Sequence, residues 1–148
     1  MRTIFDQQTR EELIRRIQTL NENNKAQWGH MTVGQMIRHC ILWEEMALGR
    51  KKYKQAFIGR IFGKIGLKTV LKDEKPLRKN SPTIRDFVIK ENSIDLEAEK
   101  NKWINTIEEY GIFSNPGFIH PFFGSMSEQQ IGQMAYKHID HHLRQFNS

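Results

Sequence analysis

The chain carries six histidines: His30, His39, His120, His138, His141 and His142. Three of them crowd the C-terminal stretch YKHIDHHLRQF. His138 and His142 are four residues apart. On a helix that sets them one turn apart and about 40° around the axis, so both imidazoles can reach one point. Two helical metal ligands need this geometry. Their face is apolar, shared with Ile131, Met134 and Ala135. His141 lies about 100° from His142 and does not easily reach the same ion. His39 sits on a second apolar face, between Met36 and Trp43. A buried imidazole has two ring nitrogens to satisfy. Several aimed at one core are costly unless something gathers them, and a divalent cation does so. The plainer alternative is that each is a hydrogen-bonded core residue.

Other chemistry is excluded by residue type or spacing. Cys40 is the only cysteine, so Cys-pair zinc sites and internal disulfides are ruled out. It reads as a small buried hydrophobe sooner than as a nucleophile. FGKIGLKT lacks the first glycine and the Ser/Thr of a phosphate-binding loop. Gly59, Gly63 and Gly66 make no dinucleotide fingerprint and are expected to allow close helix packing. No Glu-x-x-His pair supports a di-iron site, and no H-E-x-x-H supports a zinc protease.

The elements that position these residues read as helices. Thr9 to Glu12 is a capping box before Leu13, Ile14, Ile17 and Leu20. Thr32 to Gln35 is a second, opening a helix to about Leu48 that Gly49 stops. A third helix is expected from about Ile94 to Tyr110, capped by Asn92 or Ser93 and stopped by Gly111. Ser127 to Gln130 caps a last helix that runs nearly to the C-terminus. Four amphipathic helices without strand alternation predict an all-α four-helix bundle, a single domain over residues 1–148. The connection from Gly49 to Asn92 is too long to lack structure. One or two short helices are expected over Lys54 to Lys72, then an extended stretch from Lys75 to Pro82. Phe113 to Met126 is expected to be a defined, partly buried loop.

The formal charge of +6 is uneven. Arg50 to Lys79 holds eleven Lys/Arg against two Asp/Glu, whereas the remainder holds twelve against fifteen. The basic segment interleaves Phe57, Ile58, Ile61, Phe62, Ile65 and Leu67. Its expected role is to cover the bundle with the apolar side and leave the lysines in water. An anionic-surface binder through residues 50–79 is the alternative. No apolar run reaches membrane-spanning length. The first residues are too polar for a secretory signal, and a cytoplasmic location is expected.

Four stretches carry a family resemblance: WGHMTVGQMIRHCILWEEMALG, KNSPT, IHPFFGSMSEQQIGQ and YKHIDHHLRQF. With the helix pattern they cover nearly the whole chain. The sequence resembles the DinB/YfiT-like superfamily, in a branch known only as a domain of unknown function. That resemblance implies a bundle holding one divalent metal, nickel or zinc, through His39, His138 and His142. It is what attaches His39 to the pair. Three ligands leave a coordination position open, as in catalytic sites. Some members of the superfamily are metal-dependent transferases using low-molecular-weight thiols, and transfer or hydrolysis on a small-molecule substrate is the expected reaction. A non-catalytic metal-binding module is the alternative. The superfamily also implies a homodimer, and nucleic acid or membrane partners are not expected. Orienting groups for the imidazoles are sought in Gln145, His141, His120, Glu44 and Asp140, with Gln145 best placed, about 20° from His138 on the helix.

Overall fold

Two helices begin where their capping boxes lie. The Thr32 hydroxyl accepts from the Gln35 N–H, and the Gln35 side chain accepts from the Thr32 N–H. Ser127 and Gln130 repeat the arrangement. The computed structural model describes residues 1–148 and contains five α-helices. These are α1 (Gln7–Thr19), α2 (Val33–Ala47), α3 (Phe57–Val70), α4 (Leu96–Glu108) and α5 (Glu128–Gln145). A two-residue hairpin pairs β1 (Ile119–His120) with β2 (Gly124–Ser125), antiparallel.

Two expected helix starts are displaced. Helix α1 begins at Gln7 after an extended Asp6, so Thr9 lies inside the first turn and is not its cap. Helix α4 begins at Leu96, where the Asp95 carboxylate accepts from the Ala98 N–H. Asp95 therefore replaces Asn92 or Ser93 as cap. The same helix tightens into a 3-10 turn over Glu109–Ile112, so Gly111 lies within that turn and does not mark its stop. Gly49, by contrast, takes the left-handed conformation (φ 80°) that ends α2.

Helices α1, α4, α2 and α5 are neighbours in a closed circuit: α2 packs on α4 and α5, and α1 on the same two. Their apolar stripes meet in one core that includes Ile17, Met36, Trp43, Trp103, Ile107, Ile131, Ile139 and Leu143. The chain is thus mainly helical around a single core. No helix is long and apolar enough to cross a membrane.

The long connection holds the main departure from expectation. It forms one fourteen-residue helix, α3, which lies on the hairpin. The inward stripe of α3 is Gly59, Gly63 and Leu67. Phe57, Ile58, Ile61, Phe62 and Ile65 face solvent, so the apolar side does not cover the core. The reason is steric. The Phe122 carbonyl oxygen lies against the glycines, and an added Cβ would meet it at 2.4 Å from Gly59 and 2.1 Å from Gly63. Only a side without Cβ atoms can approach backbone this closely. Close helix packing is expected at these glycines, but Gly59 and Gly63 pack on the loop backbone at Phe122 instead of on a helix.

Gly63→Ala is therefore expected to unseat α3 from the hairpin at a cost of about 1–3 kcal/mol. A thermal melt followed by circular dichroism checks this, and an unchanged midpoint would contradict the packing.

Candidate metal centre

His39 projects from α2, and His138 and His142 from successive turns of α5. All three are buried, with 5%, 8% and 7% exposure. Each offers a ring nitrogen, and these atoms lie within 4.8 Å of one another. The three could hold a metal ion. The i, i+4 pair meets the histidine of the neighbouring helix because α2 and α5 pack together.

The hydrogen bonds decide which nitrogens are free. His39 Nδ1 lies 3.0 Å from the Phe87 carbonyl oxygen. A carbonyl only accepts, so Nδ1 carries the proton and Nε2 presents a lone pair. His142 Nδ1 lies 2.9 Å from Gln145 Oε1. The Gln145 amide is itself oriented, because Nε2 donates to the Trp28 carbonyl at 2.7 Å. Its Oε1 therefore accepts from His142, and the lone pair of His142 is again on Nε2. His138 has no hydrogen-bond partner outside the triad: its ring stacks on Trp43, with centroids 5.2 Å apart and planes 24° apart. Its Nε2 stands 3.2 Å from His39 Nε2. Its Nδ1 is buried without a partner.

This arrangement suits a cation. His138 either donates Nε2–H to His39 and buries a bare Nδ1 acceptor, or turns a lone pair toward another lone pair. An ion among the nitrogens removes the repulsion and takes all three lone pairs. Electrostatics favour the neutral imidazoles that metals require. Burial lowers the pKa of His39. Burial, then the neighbouring His142 and His39, holds His138 well below its ordinary range. Burial and His39 push His142 down to about 3.

Of the five groups sought as orienting partners, Gln145 alone hydrogen-bonds a triad imidazole. His141 packs at a tilt against Trp28 and meets the His142 ring edge-on, without bonding it. His120 lies on β1, and its Nδ1 accepts the Phe122 and Phe123 N–H groups, both at 3.1 Å. Burial lowers its pKa to about 4. Asp140 faces away and pairs with Arg16 and Arg144 at 2.8 and 2.7 Å. Glu44 is fully buried, not solvated as a helix-surface carboxylate would be, and accepts from the Tyr110 hydroxyl. Burial raises its pKa to about 8. Glu45 is also buried, between Lys51 and Lys102. Cys40 is fully buried, and burial lifts its thiol well above the ordinary range. The Phe87 and Trp28 carbonyls were not foreseeable, since a backbone oxygen leaves no mark of residue type.

A family model described as "Protein of unknown function (DUF1569)" matches residues 4–148. The chain belongs to that family. The match takes in α2, α5 and the hairpin, and so the whole triad. No curated protein and no solved structure matches the chain.

Two outcomes follow. Gln145→Ala should weaken metal affinity roughly 10–100-fold by freeing the His142 ring, measured by competitive titration against a chelating dye. The metal-free protein should be most stable near pH 6.5–7. The lowered folded pKa values of His39, His120, His138 and His142 mean that stability is complete above about 6.5 and falls below it. Each contributes a slope of about 1.4 kcal/mol per pH unit until its folded pKa is reached. Glu44 acts oppositely, because its folded pKa is raised. Its contribution is complete below the ordinary carboxyl range and is lost as pH rises to about 8. Denaturant melts across pH check both limbs, and Glu44→Gln should flatten the upper one.

Proposed function

We propose that this chain is a DinB-like metalloprotein, a four-helix bundle that holds one divalent ion, nickel or zinc, through His39, His138 and His142. The single observation that carries this reading is the convergence of three buried, neutral imidazoles with two Nε2 lone pairs fixed by hydrogen bonds on the opposite ring nitrogens. Imidazole ligands suit both metals. Three protein ligands leave a position for an exogenous group, which the ion would polarise as a Lewis acid. The reaction class in keeping with such a site is transfer of a low-molecular-weight thiol, or hydrolysis, on a small-molecule substrate. The chain's own part is to keep the imidazoles neutral and oriented: Phe87 holds His39, Gln145 holds His142, and Trp43 packs His138.

A second reading, a closed metal-binding module without catalysis, is favoured by one observation. The triad histidines are buried, and two surface clefts are lined by other residues. One lies between α3 and α5, at Lys64, Leu67 and Gln133. The other lies at Trp28, Leu77 and His141.

The test is metal content per chain by plasma mass spectrometry, on protein purified without a His tag or added metal. Near-stoichiometric nickel or zinc is expected, with loss in both His138→Ala and His142→Ala. Metal-free protein that also takes up neither ion on titration would refute the site. The cobalt-loaded protein separates the two readings. A new thiolate charge-transfer band on adding a small thiol means an open position, and an unchanged spectrum means a closed module.

A further inference from the structure

We propose that α3 is a docking helix that seats the protein on anionic lipid membranes, with its outward apolar face in the interface and its basic flank on the headgroups. This stands independently of the metal. Five large apolar side chains on this one helix, Phe57, Ile58, Ile61, Phe62 and Ile65, are between 53% and 77% exposed. At helical spacing they occupy one continuous arc. Arg60, Lys64 and Lys68 follow one another at four-residue steps along one edge of that arc, all exposed. Lys52 and Lys54 approach its N-terminal end, exposed as well, beside Lys51, which pairs with Glu45. From Met46 to Lys72 there are eight Lys/Arg and no Asp or Glu. Phe and Ile on one side with Lys/Arg beside them is the composition of an interfacial amphipathic helix.

The alternatives fit less well. Nucleic acid would use the cations but leave five bulky apolar groups idle. A second copy would bring together two segments that lack any acidic residue. The five side chains also present only on the order of 500 Å² of apolar surface, below the ~800 Å² per partner of a standard interface. They form a convex ridge along a helix, suited to a fluid apolar phase. The backing is rigid. Gly59 and Gly63 rest on the Phe122 carbonyl, the Ala56 N–H donates to the Pro121 carbonyl at 2.8 Å, and Lys64 Nζ donates to the Ser125 carbonyl. A face held outward by its own backbone contacts does not turn in to cover the core.

The experiment is flotation of the full chain with vesicles of phosphatidylcholine, alone or with about one-third phosphatidylglycerol. Binding to the anionic vesicles is expected to exceed that to the neutral ones by roughly tenfold, and to fall with salt. Phe57→Trp should show a blue-shifted emission on the same vesicles. Paired Ile61→Ser and Ile65→Ser should abolish binding, and paired Arg60→Glu and Lys68→Glu should reduce it to the neutral-vesicle level. All four residues are exposed, and far-ultraviolet circular dichroism checks that the variants stay folded. The proposal is overturned by failure of the wild-type chain to float, or by equal binding to both vesicles. It is also overturned by a dimer in light scattering that the isoleucine pair dissolves, or by nucleic-acid binding that the isoleucine pair retains.

Discussion

Three imidazole nitrogens held face to face in a protein core are a liability that the rest of this structure is arranged to sustain. Desolvation keeps all three rings neutral, and neutral rings at this spacing either share one Nε2 proton or present lone pairs to one another. The rings stay in place because the opposite nitrogens of two are occupied. The Phe87 carbonyl fixes His39, and Gln145 fixes His142. Gln145 is held in turn by the Trp28 carbonyl. Further contacts tie the α1–α2 loop to the end of α5: the Gln27 N–H donates to the Gln145 carbonyl, and Asn24 to that of Phe146. The pair on α5 and the single histidine on α2 are thus supported by segments far apart in the chain.

The connection between α2 and α4 serves both ends of the molecule. Near its C-terminal end, the 3-10 turn at Arg85–Phe87 lays the Phe87 ring edge-on to His39 while its carbonyl accepts the hydrogen bond from Nδ1–H. Nearer its start, α3 rests on the hairpin that carries His120, whose ring is 6.4 Å from Trp43. Trp43 stacks on His138. A contiguous path of packed groups therefore joins the inward stripe of α3 to the triad. Two discrete arrangements along that path would be required for the sites to communicate.

A second buried polar pair lies in the same helix layer. Glu44 is one helical turn beyond Cys40, has no solvent contact, and meets Tyr110 at the end of α4. A carboxyl in such a place stays protonated near neutrality, and its Oε1 has no protein partner. It tethers α2 to the end of α4 across the core and has no contact with the histidines.

The sequence alone determined the local matters. Capping boxes at Thr32 and Ser127 set the starts of α2 and α5, because Ser/Thr and Gln three residues on satisfy each other's orphan donors. Helical period put His138 and His142 on one face, and charge counting located the basic segment. Gln145 was legible as a neighbour on the same helix, reckoned from His138, but the ring it bonds is that of His142. The starts of α1 and α4 were misplaced, because several nearby polar residues can each cap and only the packing of the turn selects one. Tertiary structure alone decided three things. It set the distance at which His39, attached to the pair only by the resemblance, meets it, supplied the Phe87 and Trp28 carbonyls, and turned the apolar side of α3 outward. Each depends on how closely distant backbones approach. Helical period records which residues share a face, and it holds no information on which face a neighbouring chain can reach.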